Sequence, residues 1–232
     1  MRLTLDELAR MVDLSAVRTD VTLDEVRDLA GQAMKYHCVA AFVLPCYVRR
    51  LADLLSEAPE VAVGSTVGFP SGAHTAAVKA AEARQSLADG ADELDMVMNV
   101  GLLRSGSHDD VEDDIRAVVE AAEGTPVKAI LEVHYLNDDQ IRRGAELCVR
   151  AGAAFVKTGT GWADTGATPH NIALIKSVVG DRAGIKAAGG IRDLQTLVAC
   201  YRAGATRFGI SLASGARILE ACAALPGRAV EV

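Results

Sequence analysis

Short apolar segments alternate along the chain with longer segments in which apolar residues recur at helical spacing. The short segments are rich in Val, Ile, Leu and Ala and are apolar almost throughout, as is typical of parallel strands covered on both faces. They occupy residues 12–15, 39–44, 61–67, 93–97, 127–133, 154–158, 184–187 and 207–211. The pattern therefore predicts eight parallel strands.

The longer segments predict helices between these strands. Their bounds are residues 23–36, 75–89, 111–123, 137–151, 168–179 and 194–203. Thr22 and Glu25 have the spacing of a capping box, and a glycine lies at or just beyond the end of five of the six helices. Strict alternation of strands and helices predicts an α/β protein built as a single (β/α)₈ TIM barrel, residues 1–232, with a short tail from about residue 226.

Composition narrows the class of protein. Of the 232 residues, 50% are hydrophobic and 4% aromatic, and the net charge is −7, which disfavours a general nucleic-acid binder. The first residues are too acidic for a signal peptide, and no apolar run is long enough for a membrane-spanning helix. Five cysteines without a C-x-x-C pair fit a reducing compartment. We therefore expect a cytoplasmic protein with no nucleic-acid or membrane partner.

Two lysines end neighbouring predicted strands. Lys157 is followed by Thr-Gly-Thr-Gly, and Lys186 by Ala-Ala-Gly-Gly. Lysine is rarely buried unless it is paired or takes part in chemistry. Like charges held close together lower each other's pKa, and a neutral amine can attack a carbonyl group. The pair therefore predicts an enzyme that forms a Schiff base.

A carboxylate lies inside another predicted strand. Asp95, in Glu-Leu-Asp-Met-Val (93–97), is costly to bury unless a cation is nearby, and the two lysines are the obvious partners. The group can be read either as a structural ion pair that fills the barrel or as a catalytic cluster. Two inward-pointing lysines favour the catalytic interpretation.

Small residues follow three of the strands at the end where barrel enzymes bind their substrates. Thr158 and Gly159 leave room for a ligand after Lys157. Gly189 and Gly190 can expose backbone N–H groups to an anion, and the last strand contains Gly209 and ends at Ser211. These loops, taken together, predict a phosphate site. The histidines show no metal-ligand spacing, so we expect no metal and no cofactor.

Several blocks of the chain resemble deoxyribose-phosphate aldolases, which are class I aldolases on a (β/α)₈ barrel. The similarity runs over most of the chain, and the blocks are highly specific in combination. They are residues 67–70 (Val-Gly-Phe-Pro), 72–73, 90–97 (Gly-Ala-Asp-Glu-Leu-Asp-Met-Val), 131–133, 155–158 (Phe-Val-Lys-Thr), 185–192 (Ile-Lys-Ala-Ala-Gly-Gly-Ile-Arg) and 204–209.

The resemblance implies reversible cleavage of 2-deoxy-D-ribose 5-phosphate to D-glyceraldehyde 3-phosphate and acetaldehyde. It implies that Lys157 forms the Schiff base, that Lys186 tunes its pKa and assists proton transfer, and that Asp95 is the general acid/base, acting through water. It also suggests supporting positions for Asp13 and Ser15 on the first strand. A small sugar phosphate is then the binding partner, and a homodimer is the common default for such barrels.

Some residues depart from the family pattern. Phe42 and Leu44 make the second strand bulkier, Gly159 replaces a serine, and Leu212 follows Ser211 where a further serine is usual. These changes leave two alternatives open. One is a Schiff-base aldolase for a related sugar phosphate or aldehyde, and the other is a non-catalytic barrel that binds ligands.

Overall fold

The computed structural model describes residues 2–232, and a closed barrel of eight parallel strands lies at its centre. The barrel strands are β2 (Val12–Ala16), β3 (Ala40–Val43), β4 (Ala62–Val67), β5 (Glu93–Val97), β6 (Val127–Ile130), β7 (Phe155–Lys157), β8 (Gly184–Ala188) and β9 (Arg207–Ser211). They pair in chain order, and β9 pairs with β2 to close the barrel. The predicted (β/α)₈ barrel is confirmed.

Helices surround the barrel, one or two after each strand. They are α1 (Leu5–Ala9), α2 (Leu23–Tyr36), α3 (Val48–Leu55), α4 (Ala76–Ala88), α5 (Val100–Arg104), α6 (His108–Ala121), α7 (Asp138–Arg150), α8 (Pro169–Val179), α9 (Leu194–Arg202) and α10 (Leu212–Ala223). Single 3₁₀ turns span Pro45–Tyr47, Val133–Tyr135 and Pro226–Arg228. No helix among residues 2–232 is both long and apolar enough to cross a membrane.

The main hydrophobic core lies between the strands and the helices. On β5, Leu94 and Met96 are fully buried in this core, whereas Asp95 lies between them in sequence and lines the barrel interior. Successive side chains of a strand point to opposite faces, so one strand can supply both layers. This alternation places a buried carboxylate inside the barrel without a break in the apolar outer face.

The six predicted helices are present within three residues of the predicted ends, including the capping box at Thr22 and Glu25. The pattern did not predict α1, α3, α5 and α10, of which α1 and α5 are only five residues long. The predicted strand over 127–133 is too long. It ends at Ile130, and Glu132 adopts left-handed backbone angles, with φ 54°, ahead of a 3₁₀ turn.

The expected tail from about residue 226 is wrong. Residues Ala229–Glu231 form β10, which pairs antiparallel with β1 (Arg2–Thr4). The guanidinium of Arg2 also donates a hydrogen bond to the Pro226 carbonyl, at 2.6 Å. Leu3, the middle residue of β1, is buried and pairs with Val230.

Candidate active site

A cavity of about 260 Å³ opens where the barrel strands end. Seven of the eight barrel strands, all but β6, place side chains in it, and the loops after β2, β4, β7 and β8 and the start of α10 form its rim. The predicted residues that line it are Asp13, Ser15, Asp95, Lys157, Lys186, Gly189, Gly190, Gly209 and Ser211. Barrel closure thus brings together residues that are up to 198 positions apart in the sequence.

Asp95 lies between the two lysines. Its Oδ2 atom is 2.6 Å from Lys157 Nζ and 2.6 Å from Lys186 Nζ, and both ammonium groups donate hydrogen bonds to it. Lys157 and Lys186 are register partners on adjacent strands, which explains why their side chains reach the same carboxylate. Lys186 also contacts Asp13 Oδ2 at 2.6 Å, so it has two carboxylate partners where Lys157 has one.

This difference in partners separates the two lysines electrostatically. Burial lowers the pKa of Lys157 to about 8, and the positive charge of Lys186 acts in the same direction against the attraction of Asp95. Burial alone would also lower the pKa of Lys186, but Asp13 and Asp95 outweigh it and raise that pKa. The expectation of two lowered values therefore applies to Lys157 alone.

Asp95 is held as a carboxylate. Burial by itself would raise the pKa of Asp95, but the ammonium groups of Lys157 and Lys186 outweigh burial and hold this pKa well below its usual range. An ionised acid next to a partly neutral amine can exchange protons with it near neutral pH.

Phe42 forms one wall of the cavity. Its ring is 2% exposed and lies 4.0 Å from Lys186 Nζ, within the range of a cation–π contact. Gly64, its register partner on β4, leaves the room that the ring needs, because a Cβ there would lie 2.5 Å from ring atoms. Leu44, the other departure on this strand, does not line the cavity.

Small residues line the cavity at the ends of β8 and β9. Gly189 and Gly190 have φ of 84° and 86°, and an added Cβ at Gly190 would meet no atom within 4 Å. Ser211 lies at the N-cap of the twelve-residue helix α10. Arg18 and Arg192 also line the cavity, and the sequence pattern does not identify them as site residues. Such surroundings suit an anion.

Two predicted ligand-binding residues lie elsewhere. The buried hydroxyl of Thr158 donates to the Ala188 carbonyl at 2.7 Å and accepts from the Ala188 amide at 2.9 Å. Gly159 faces Glu132, whose Oε1 would lie 2.9 Å from an added Cβ. Neither residue lines the cavity, so we assign them to holding the loop rather than to contact with a ligand.

Sequence reasoning missed the residue that organises this loop. Glu132 is 4% exposed and accepts hydrogen bonds from the amide and hydroxyl of Thr160. Thr160 lines the cavity and in turn accepts from the Trp162 amide at 3.0 Å. In the sequence, the signal for this residue is a single polar position in Leu-Glu-Val (131–133), at the end of the predicted strand.

Trp162 joins two loops at the rim. Its indole N–H donates to the Val17 carbonyl at 3.1 Å, and its ring meets Phe69 edge to face with centroids 6.1 Å apart. The ring is still 48% exposed. Within residues 2–232, no group of three or more His, Cys, Asp or Glu side chains is arranged to hold a metal ion.

Comparisons with known proteins agree with this geometry. The family model described as DeoC/LacD family aldolase matches residues 7–220. A deoxyribose-phosphate aldolase of Klebsiella pneumoniae is 47% identical over 234 residues, which covers 100% of this chain and 94% of the relative.

Solved structures are similar as well. A putative deoxyribose-phosphate aldolase from Coccidioides immitis has a TM-score of 0.91 at 34% identity, covering 95% of this chain and 87% of that one. A tetrameric deoxyribose phosphate aldolase from Aeropyrum pernix has a TM-score of 0.88 at 30% identity, covering 96% and 94%.

Proposed function

The chain belongs to the DeoC/LacD family of aldolases, and on this premise we propose that it is a class I deoxyribose-phosphate aldolase. It reversibly cleaves 2-deoxy-D-ribose 5-phosphate to D-glyceraldehyde 3-phosphate and acetaldehyde. The observation that carries the proposal is Lys157: a buried amine at the base of the cavity, 2.6 Å from a carboxylate, with its pKa lowered to about 8.

Lys157 is the proposed nucleophile. Its neutral Nζ attacks the C1 aldehyde of the open-chain sugar, and loss of water from the adduct leaves an iminium ion. The iminium accepts the electron pair released when the C2–C3 bond breaks, which an aldehyde does poorly. The three-carbon product leaves as glyceraldehyde 3-phosphate. The enamine that remains is then protonated at C2 and hydrolysed to acetaldehyde and free Lys157.

Asp95 and Lys186 are the proposed proton-transfer groups. The steps require removal of a proton from the C3 hydroxyl, loss and return of water at C1, and protonation of C2. Asp95 is ionised and touches both lysines, so it can accept a proton and pass it on. Lys186, with its raised pKa, remains charged near neutral pH and favours the neutral form of Lys157.

The phosphate is proposed to bind among the Gly189–Gly190 turn, Gly209 and Ser211. Backbone N–H groups and the start of α10 suit a dianion, and Arg192 lines the same cavity. A phosphate fixed there holds the sugar in one orientation, so that C1 lies next to Lys157.

Covalent trapping tests the nucleophile. Borohydride added with deoxyribose 5-phosphate is expected to leave a reduced adduct on Lys157, located by peptide mass spectrometry. Lys157→Ala should form no adduct, and its cleavage rate should fall to background. Lys79→Met is the matched control, because Lys79 is also fully buried and ion-paired but lies between α4 and α6, away from the cavity. An adduct formed equally by Lys157→Ala would refute the assignment, and no adduct in the unmodified protein would favour the non-catalytic barrel.

A second candidate function is a Schiff-base aldolase for another aldehyde. The Phe42 wall and Leu212, in place of a hydroxyl beside Ser211, favour it. Comparison of 2-deoxyribose 5-phosphate with 2-deoxyribose separates the two. The proposed phosphate site predicts a KM at least tenfold lower for the phosphorylated sugar, since charge-assisted hydrogen bonds contribute about 1.5–3 kcal/mol each. Equal kcat/KM for both sugars would remove the case for a phosphate site.

The assembly stays a prediction. A homodimer is the default expected of this class of barrel, whereas the Aeropyrum pernix relative is described as tetrameric. Light scattering of the purified protein distinguishes the two masses.

A further inference from the structure

Six charged side chains form a closed ring inside the barrel, with acids and bases alternating. In order around the ring they are Asp95, Lys186, Asp13, Arg207, Glu93 and Lys128. The successive N···O distances are 2.6, 2.6, 3.1, 2.5, 2.6 and 3.5 Å, the last of which returns from Lys128 to Asp95 Oδ1. The ring therefore joins the groups that face the cavity to groups deeper in the barrel.

The ring has two halves. Asp13, Asp95 and Lys186 line the cavity, whereas Glu93, Lys128 and Arg207 do not. Glu93 and Arg207 are the first residues of β5 and β9, at the end of the barrel remote from the cavity mouth. Lys128, also in the deeper half, is fully buried. The deeper half therefore cannot touch a substrate, and it acts only through the upper half.

The charges of the ring balance. Three carboxylates alternate with three cations around the ring. A further cation, Lys157, lies outside the ring and forms an ion pair with Asp95 alone. Burial of a charge is unfavourable unless it is compensated. Lys157 is the one cation in excess, so its proton is the least costly to release.

We propose that Lys128 is a positioning residue that makes Lys157 the excess cation of the interior. Lys128 pairs with Glu93 and contacts Asp95 Oδ1, so it neutralises part of the Asp95 charge that would otherwise stabilise protonated Lys157. The proposal rests on the proposed aldolase function for its consequence, since a neutral Lys157 is the nucleophile. Lys128 acts through Asp95 and makes no contact with the substrate.

Two further observations support this role. Phe42 fixes the geometry, because Lys128 Nζ and Lys186 Nζ lie 4.5 and 4.0 Å from the centroid of its ring. The charge of Lys128 also acts in the expected direction, adding to burial in lowering the pKa of Lys157. The charged groups around Lys157 inside the barrel come from five other strands: Asp13 on β2, Glu93 and Asp95 on β5, Lys128 on β6, Lys186 on β8 and Arg207 on β9. Of these, Asp95 is in direct contact with Lys157.

The test measures the protonation of Lys157 directly. The whole protein is labelled with acetic anhydride over a series of pH values, and the rate at Lys157 is read from the mass of its peptide. In Lys128→Met the three remaining cations match three carboxylates, so the labelling curve should move upward by about one pH unit, and the rate at pH 7 should fall about tenfold. Glu93→Gln removes an acid and should move the curve downward.

Lys79→Met is the control for a merely structural effect. It removes another fully buried ammonium, paired with Asp114 at 2.7 Å, and should lower thermal stability while the Lys157 curve stays in place. A Lys128→Met curve that coincides with that of the unmodified protein would overturn the proposal, as would Glu93→Gln moving the curve upward. Glu93→Gln remains informative even where Lys128→Met does not fold.

The same experiment separates this inference from the proposed function. Acetylation of Lys157 needs no sugar substrate, so displaced curves without a borohydride adduct from deoxyribose 5-phosphate would uphold the ring and refute the aldolase. An adduct in the unmodified protein together with unmoved labelling curves would uphold the aldolase and refute the role of Lys128 in the ring.

Discussion

Lys157 and Lys186 have the same side chain, and only their neighbours make them different. Lys157 contacts Asp95, whereas Lys186 contacts both Asp95 and Asp13. Burial lowers the pKa of the first lysine to about 8, and the second carboxylate reverses that effect for Lys186. The proposed division into nucleophile and charged partner therefore depends on a single additional ion pair.

At this scale we predict a pH profile. Adduct formation requires the neutral amine, so its rate should rise as the pH increases through about 8 and level off above it. Asp95→Asn removes the attraction that opposes deprotonation, so the curve for adduct formation should move to lower pH. Cleavage should nevertheless slow by about 10²–10⁴-fold, because a proton-transfer group is lost.

Borohydride trapping with acetaldehyde measures the rate of adduct formation at each pH. A coupled assay for glyceraldehyde 3-phosphate measures the cleavage rate. Glu231→Gln provides the control, since this exposed carboxylate pairs with Arg2 at the chain ends and should change neither curve. An upward displacement in Asp95→Asn would contradict the electrostatic argument.

At the scale of elements, the pairing of β3 with β4 sets the shape of the cavity wall. The register places Phe42 opposite Gly64, and the aromatic ring fills the space that a side chain at 64 would need. The large residue on one strand is tolerated because its neighbour is the smallest one. Phe42 therefore fixes both the volume of the site and the position of two lysines.

Gly64→Ala should lower the free energy of unfolding by about 1–3 kcal/mol, because its Cβ would lie 2.5 Å from the Phe42 ring. With Phe42→Leu already present, the same substitution should cost less than half as much. Urea denaturation of the single and double variants measures this coupling. Gly31→Ala on the exposed face of α2 is the matched control, because nothing lies within 4 Å of its added Cβ, and helix propensity should make it slightly stabilising. Additive effects of the pair at 42 and 64 would contradict this explanation.

At the scale of the whole molecule, a small sheet outside the barrel joins the two terminal segments. The β1–β10 pair connects residues 2–4 to residues 229–231, and Leu3, in the middle of β1, is buried. These strands contain none of the residues that line the cavity. We propose that residues 1–232 fold as one unit and that this pair adds stability without affecting the chemistry.

Removal of residues 226–232 should therefore lower the thermal midpoint and leave the cleavage rate at 25 °C unchanged. A loss of about 1–2 kcal/mol corresponds to roughly 2–8 °C for a chain of this size. Glu231→Gln alone removes only an exposed ion pair and should shift the midpoint by less than about 1–2 °C. A truncated protein with an unchanged midpoint, or one with lower kcat at 25 °C, would show that the chain ends have a different role.

The sequence by itself determined the barrel, most of its strands and helices, and the proposed catalytic group of Asp95, Lys157 and Lys186. These features follow from local signals: apolar runs, capping residues, and charges in segments that must be buried. It misjudged the end of the strand at 127–133 and the tail, because a left-handed Glu132 and a strand formed between chain ends have no local pattern.

Only the tertiary structure decided how the charges divide. Asp13 reaches Lys186 and not Lys157, and Glu93 and Arg207, which look like ordinary strand-end residues in the sequence, meet inside the barrel. It also turned Thr158 and Gly159 away from the cavity. The physical reason is barrel closure: the distances between side chains on different strands depend on register, which no single segment of sequence contains.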